Sequence, residues 1–195
     1  MIVHTTHITL LGKLGEDHNP AAWDEFCDRY GDLVRSFARR QGLQAADCDD
    51  VLQDVLIALS GSMRRFEYDP AKGKFRSYLK TIALRAIYKK FRQKNRPGGQ
   101  APNEDAAESA AVDPETDRRW EEEWRQHHLR QAMRTIDAEF SDSDRAAFRL
   151  YALGNRGAKE TAEALAISVD SVYQAKSRIM ARLSALIETQ VKDEG

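Results

Sequence analysis

The sequence predicts an all-α protein of two helical domains joined by a flexible linker. Three observations carry that prediction. Apolar residues recur every three or four positions in several separate segments, the period of an amphipathic helix. The periodicity stops at Pro97-Gly98-Gly99, and residues 100–117 are Ala-rich and acidic with almost no large apolar side chain, a composition that cannot bury a core. It then resumes and closes on a short helix, a tight turn and a longer helix, the helix-turn-helix pattern. The resulting boundaries are an N-terminal segment 1–19, a first domain 20–96, a linker 97–117 spanning roughly 25 Å, and a second domain 118–190. A length of 195 residues fits one or two compact domains.

Residues 1–19 show little pattern. His4 and His7 lie three apart without further ligands and read as bystanders rather than a metal site. From Pro20 the spacing is clear: Trp23, Phe26, Cys27, Tyr30, Leu33, Val34, Phe37 and Ala38 fall on one face. Pro20 at the start, early acids (Asp24, Glu25, Asp28), late bases (Arg35, Arg39, Arg40) and a closing Gly42 all fit one helix. A second helix is predicted over 45–60, burying Val51, Leu52, Val55, Leu56 and Leu59. On another of its faces Asp47, Asp50 and Asp54 stand at i, i+3 and i+7, with Gln53 beside them. Acids at a helix N-terminus can simply complement its positive end. Asp54 is two turns in, which favours an acidic docking face. Ser60 and Ser62, just past it, could accept phosphate and add charge there.

Asp69-Pro70 and Gly73 mark a loop after Met63. It presents Phe66 and Tyr68 and opens into Lys72–Arg96, which carries ten basic side chains and no acid. Lys72, Lys74, Arg76, Lys80, Arg85 and Lys89 are among them, interleaved with Phe75, Tyr78, Leu79, Ile82, Tyr88 and Phe91. Cations can track phosphates while rings stack on unpaired bases, which is what single-stranded nucleic acid requires, and the loop aromatics suit a base drawn out of a duplex. An amphipathic helix with a solvated basic face would show the same run. Beyond the linker, Trp120, Trp124, His128, Ala132, Ile136 and Phe140 form one stripe, with His127-His128 read as helix surface. Ser141-Asp-Ser-Asp144 fits a capping box, with Phe148, Tyr151 and Leu153 inward. A short helix over 159–166, a turn at Ile167-Ser168 and a helix over 169–187 come next, locked by Ala162, Leu165, Ile167, Val172, Ile179 and Leu183. Ser171, Tyr173, Gln174, Ser177 and Arg178 then point outward and can reach base edges in a major groove. Other helical hairpins imitate this spacing.

A net charge of −1 means the basic run is offset by acid elsewhere, so the whole free chain should bind nucleic acid weakly. No segment has the length and apolarity of a membrane span, and the first 14 residues do not read as a signal peptide. Cys27 and Cys48 lack a CxxC or paired-His context, which argues against a zinc site or disulfide framework. A cytoplasmic protein without membrane insertion, cofactor, metal or catalytic residues is the expectation.

Taken in order, Asp47-Cys-Asp-Asp-Val-Leu-Gln-Asp54, Phe75-Arg-Ser-Tyr-Leu-Lys-Thr-Ile-Ala83 and Ile167-Ser-Val-Asp-Ser-Val172 with Arg178 resemble regions 2 and 4 of a bacterial RNA polymerase sigma factor of the extracytoplasmic-function (group IV) class of the sigma-70 family. The resemblance covers about residues 20–96 and 118–188. It implies a transcription initiation factor whose partners are core RNA polymerase, promoter DNA and an anti-sigma factor or other inhibitor. Asp47, Asp50, Gln53 and Asp54 would then dock on the clamp helices of the polymerase's largest subunit. Phe66, Tyr68, Lys72 and Lys74 of the loop would capture an unstacked minus-ten base. Arg76, Tyr78, Lys80, Arg85 and Lys89 would steer the non-template strand, and Ser171, Tyr173, Gln174, Ser177 and Arg178 would read the minus-thirty-five element. The sequence departs from the family in a longer loop, in Tyr78 where Trp is frequent, and in Tyr173 and Ala175 where basic residues are frequent.

Two rivals predict other features. A polymerase-independent helix-turn-helix regulator would carry its cations mainly in the second domain, whereas the densest cluster here lies in the first. An enzyme acting on nucleic acid needs a metal or nucleophile constellation, and no second group is fixed by sequence near Asp47–Asp54.

Overall fold

The computed structural model describes residues 7–16, 19–63, 75–94 and 113–193, and among them every regular element is helical. The helices are α1 (His7–Leu14), α2 (Pro20–Arg40), α3 (Ala45–Met63), α4 (Phe75–Lys94), α5 (Pro114–Glu139), α6 (Asp142–Phe148), α7 (Ala158–Leu165) and α8 (Val169–Asp193), with a π-helical turn Arg149–Leu153 after α6. The chain divides into two compact units, and the break falls between His127 and His128, within α5.

In the first unit the local chemistry explains each boundary. The Asn19 side chain accepts from the Ala22 amide at 3.2 Å and caps α2, with Pro20 as its first residue. The helix stops at Gly42, whose φ of +99° suits glycine. There the Gly42 amide donates to the Arg39 carbonyl at 2.9 Å and the Leu43 amide to Ala38 at 3.3 Å. α2 buries Phe26, Tyr30, Leu33, Val34 and Phe37 against Val51, Leu52, Val55 and Leu59 of α3 and against Phe75, Leu79, Ile82, Ala83, Leu84 and Ile87 of α4. Each side chain of this size contributes about 1.5–3 kcal/mol by leaving water.

Four expectations are corrected here. The N-terminal segment is not patternless throughout: Leu10, Leu11 and Leu14 of α1 are buried in the same core. Nor does the stripe of α5 belong wholly to a second domain. Trp120 and Trp124 are buried in the first core, with Trp120 edge-on to Phe37 (centroids 4.9 Å) and Trp124 stacked near Tyr30 (6.3 Å). Two indoles four residues apart form a large apolar stripe, and the ring-rich face of α2 covers it. Pro114–Asp117, expected at the end of the linker, open α5 as helix, while residues 97–112 lie outside the described part. His127 and His128, expected on the surface, are buried; His127 stacks on Tyr30 at 5.6 Å.

The second unit is built on Ala132 and Ile136 of α5, Phe148 of α6, and Ile179 and Leu183 of α8. The Ser141 hydroxyl accepts from the Asp144 amide at 3.2 Å, as the capping box predicts. Phe148 is buried and Tyr151 half-buried, but Leu153 is 65 % exposed. The π-turn accounts for that difference. The Gly154 amide donates to the Arg149 carbonyl five residues back at 2.7 Å, and the extra residue in the turn rotates Leu153 away from the core. Glycine is required there because a Cβ would lie 2.8 Å from the Leu150 carbonyl oxygen. α7 and α8 form the helix-turn-helix, with Ala162, Val172, Ile179 and Leu183 buried as expected, Leu165 and Ile167 half-buried, and Ala175 buried in addition. Ala166 turns the corner at φ +53°, and the Ser168 hydroxyl caps α8 by accepting from the Ser171 amide at 3.1 Å.

Candidate functional site

In the first unit, α3 and α4 lie side by side, and their charges meet. Lys94 bonds Asp47, Lys90 bonds Asp50, and Lys89 bonds Asp54 at 2.9 Å; Lys90 also approaches Asp47 at 3.9 Å. Three acids at i, i+3 and i+7 of α3 thus face three bases, Lys94, Lys90 and Lys89, of the neighbouring helix. The Asp47 side chain is only 12 % exposed. The hydrogen bond from Lys94 holds its carboxyl below the usual carboxylate range, and the bond to Asp50 raises the Lys90 ammonium. Gln53 is exposed, and so are Asp49 and Asp50. The acidic row and the basic run, which read in sequence as separate surfaces, form one ladder.

The other end of α4 faces acids as well. Arg76 bonds Glu121 and lies 5.4 Å from the ring centroid of Trp124, and Lys80 bonds Asp117. Their side chains are 28 % and 16 % exposed. The same stretch of α5 holds Arg40, which reaches Glu122 at 2.6 Å and Glu123 at 2.7 Å. Arg85 remains on the exposed side of α4. The rings threaded through the basic run do not present a stacking surface. Phe75 is buried 6.3 Å from Phe26 and 5.8 Å from Tyr30, and Tyr78, Tyr88 and Phe91 are half-buried against the core. Apolar faces are covered first, so the aromatic members of the run went inward. The Tyr78 hydroxyl donates to Ser62 Oγ at 2.7 Å. Ser62 in turn donates to the Leu59 carbonyl and Ser60 to Ile57. Phe66, Tyr68, Lys72 and Lys74 lie outside the described residues.

In the second unit Ser171, Tyr173, Gln174, Ser177 and Arg178 are all exposed on α8. Two are already engaged: the Ser171 and Ser168 hydroxyls stand 2.8 Å apart, and Arg178 pairs with Asp144 at 2.7 Å. Tyr173 is 50 % exposed and meets Tyr151 edge-on at 5.6 Å, while the Lys176 ammonium lies 5.1 Å over the Tyr151 ring. Lys176, and its contact with the inward-facing Tyr151, were missed in sequence. A lysine beside the first outward residues of the second helix was the available signal. Among the described residues no group of three or more His, Cys, Asp or Glu is placed to hold a metal ion, and no helix is long and apolar enough to cross a membrane. Cys27 and Cys48 are free thiols whose pKa values are raised, chiefly by burial.

Residues 26–97, which contain this ladder, match the family Sigma-70 region 2. Over these residues the chain is similar to a sigma-70 region 2. Its match spans most of α2, all of α3 and α4, and the segment between them. Sigma factors as a family are non-enzymatic transcription initiation factors that bind RNA polymerase and promoter DNA. Among solved structures the chain is similar to CnrH, determined in complex with the cytosolic domain of CnrY. The identity is 24 %, over 94 % of this chain and 98 % of that one, with a TM-score of 0.39. No curated protein matches the sequence.

Proposed function

We propose that the chain is a sigma factor of the extracytoplasmic-function class, which binds core RNA polymerase, directs it to specific promoters and helps to open the minus-ten element. The observation that carries this reading is the sigma-70 region 2 match over 26–97, because the acidic row of α3 and the cations of α4 both fall inside it. In this reading Asp47, Asp50, Gln53 and Asp54 meet the polymerase, Phe66, Tyr68, Lys72 and Lys74 hold an extruded base, and Arg76, Tyr78, Lys80, Arg85 and Lys89 guide the opened strand. The exposed start of α8, with Ser171, Tyr173, Gln174, Ser177 and Arg178, reads the minus-thirty-five element, and Lys176 adds a phosphate contact beside them. The two units with their roles divided in this way, a cytoplasmic location beside the polymerase and control by an anti-sigma factor or other inhibitor belong to the same reading.

The ladder adds a condition. The acids of α3 reach a basic partner only by sharing or exchanging the lysines of α4. The test is co-purification of core polymerase with the tagged chain, followed by run-off transcription on a matched and on a pre-opened template. Wild type should capture core, and Asp50→Asn/Asp54→Asn should lose much of that capture while keeping its circular dichroism. Failure of the wild-type chain to capture core would favour a polymerase-independent helix-turn-helix regulator and overturn the reading.

A further inference from the structure

Of the α4 cations assigned to the opened strand, Arg76 and Lys80 are covered by α5. Arg76 is bound by the Glu121 carboxylate and lies against the Trp124 ring; Lys80 is bound by Asp117. Asp117 and Glu121 are four residues apart on one helix, as Arg76 and Lys80 are on the other, so two adjacent anions sit opposite two adjacent cations. This stretch of α5 is anchored beside them by the buried rings of Trp120 and Trp124. Two consecutive phosphates of a single strand present the same pattern of charge.

We propose that the N-terminal part of α5 is a competitive occupant of the single-strand site on α4, with Asp117 and Glu121 standing where strand phosphates would go. The inference rests on the reading of α4 as a strand-binding surface and adds that the free chain holds this surface closed. Strand binding then requires exchange of the Arg76–Glu121 and Lys80–Asp117 pairs, which keeps the unassembled chain off single-stranded nucleic acid. The sequence placed Asp117 in an acidic linker, and only packing sets it against Lys80.

The experiment measures binding of a fluorescein-labelled 20-mer of oligothymidine to the full-length chain by anisotropy, across a salt series and without polymerase. Asp117→Asn/Glu121→Gln should tighten binding at low salt by about fivefold, the order expected when two competing ion pairs are removed. It should also steepen the slope of log affinity against log salt by about 1.4, the signature of two added phosphate contacts on a single strand. Each single variant should give part of the gain. The control Asp24→Asn/Asp28→Asn removes the same charge from exposed positions of α2 and should change neither quantity. Adding Arg76→Ala/Lys80→Ala to the first double variant should abolish its gain. An equal gain in the control, no gain in the double variant, or a gain that survives loss of the two cations would overturn the proposal. None of these outcomes depends on polymerase capture, so the inference and the functional reading fail separately.

Discussion

The chemistry of the helix-turn-helix depends on a few residues in demanding conformations. Ala166 holds the corner at φ +53°, a region where a Cβ crowds the following carbonyl at a cost of about 1–2 kcal/mol. Glycine escapes that cost but gives up more chain entropy on folding, so Ala166→Gly should stabilise the second unit by up to about 1 kcal/mol. Urea unfolding followed by circular dichroism checks this, and a lower midpoint would contradict it. The exposed side chains are equally particular. Arg178 is tied to Asp144, the residue whose amide caps on Ser141, whereas Tyr173 is braced by Tyr151 and projects outward. A side chain that looks available on a helical wheel is therefore already bonded, while Lys176, which the sequence did not single out, stands beside these residues over the Tyr151 ring.

At the scale of elements, α4 serves α3, the core and α5 together. Its inner face supplies Phe75, Leu79, Ile82 and Ile87 to the core, and its lysines close the acidic row of α3. Carboxylates held below their ordinary range contribute stability that is complete above that range and is lost as pH falls through the folded value. Asp47, lowered chiefly by Lys94, is one; Glu115, held at about 2 against an ordinary 4.5 by Arg118 and then Arg119, is another. The urea midpoint should therefore fall as pH is lowered from 4.5 towards 2, and Asp47→Asn should fall less over the same interval. A parallel decline in both proteins would show that the ladder plays no part. Reversal to lysine is a poor probe of docking, since Asp50→Lys would place a cation against Lys90 and disturb α3 and α4 themselves.

At the scale of the whole chain, the composition of residues 97–112 predicts the first site of limited proteolysis, and the packing of α5 predicts the fate of the fragments. Because Trp120 and Trp124 are buried in the first unit, a cut there should leave the two fragments associated on gel filtration. Trp120→Ala, which removes a buried indole at a cost of about 3–5 kcal/mol, should let them separate. Fragments that part at once in the wild-type chain would mean that α5 does not hold to the first core. The division of the chain inside α5, between His127 and His128, shows why composition alone misplaces a boundary. An acidic, Ala-rich stretch says where a core is absent, and the next apolar stripe does not say which core it joins.

By itself the sequence determined the all-α class, the spans of α2, α3 and α4, the capping of α6 by Ser141 and the helix-turn-helix, because period, caps and turn residues are local properties. It also supplied the residue types of the candidate surfaces, an acidic row, a basic run and a polar helix start. Tertiary structure decided which of these face one another. Leu10, Leu11 and Leu14 gained meaning only against α2 and α3, and Trp120 and Trp124 only against Phe37 and Tyr30. The pairing of Lys89, Lys90 and Lys94 with Asp54, Asp50 and Asp47, and of Arg76 and Lys80 with Glu121 and Asp117, joins residues 35 to 47 positions apart. Charge attraction acts through space once the apolar faces have set the helices side by side, and no spacing along the chain records that distance.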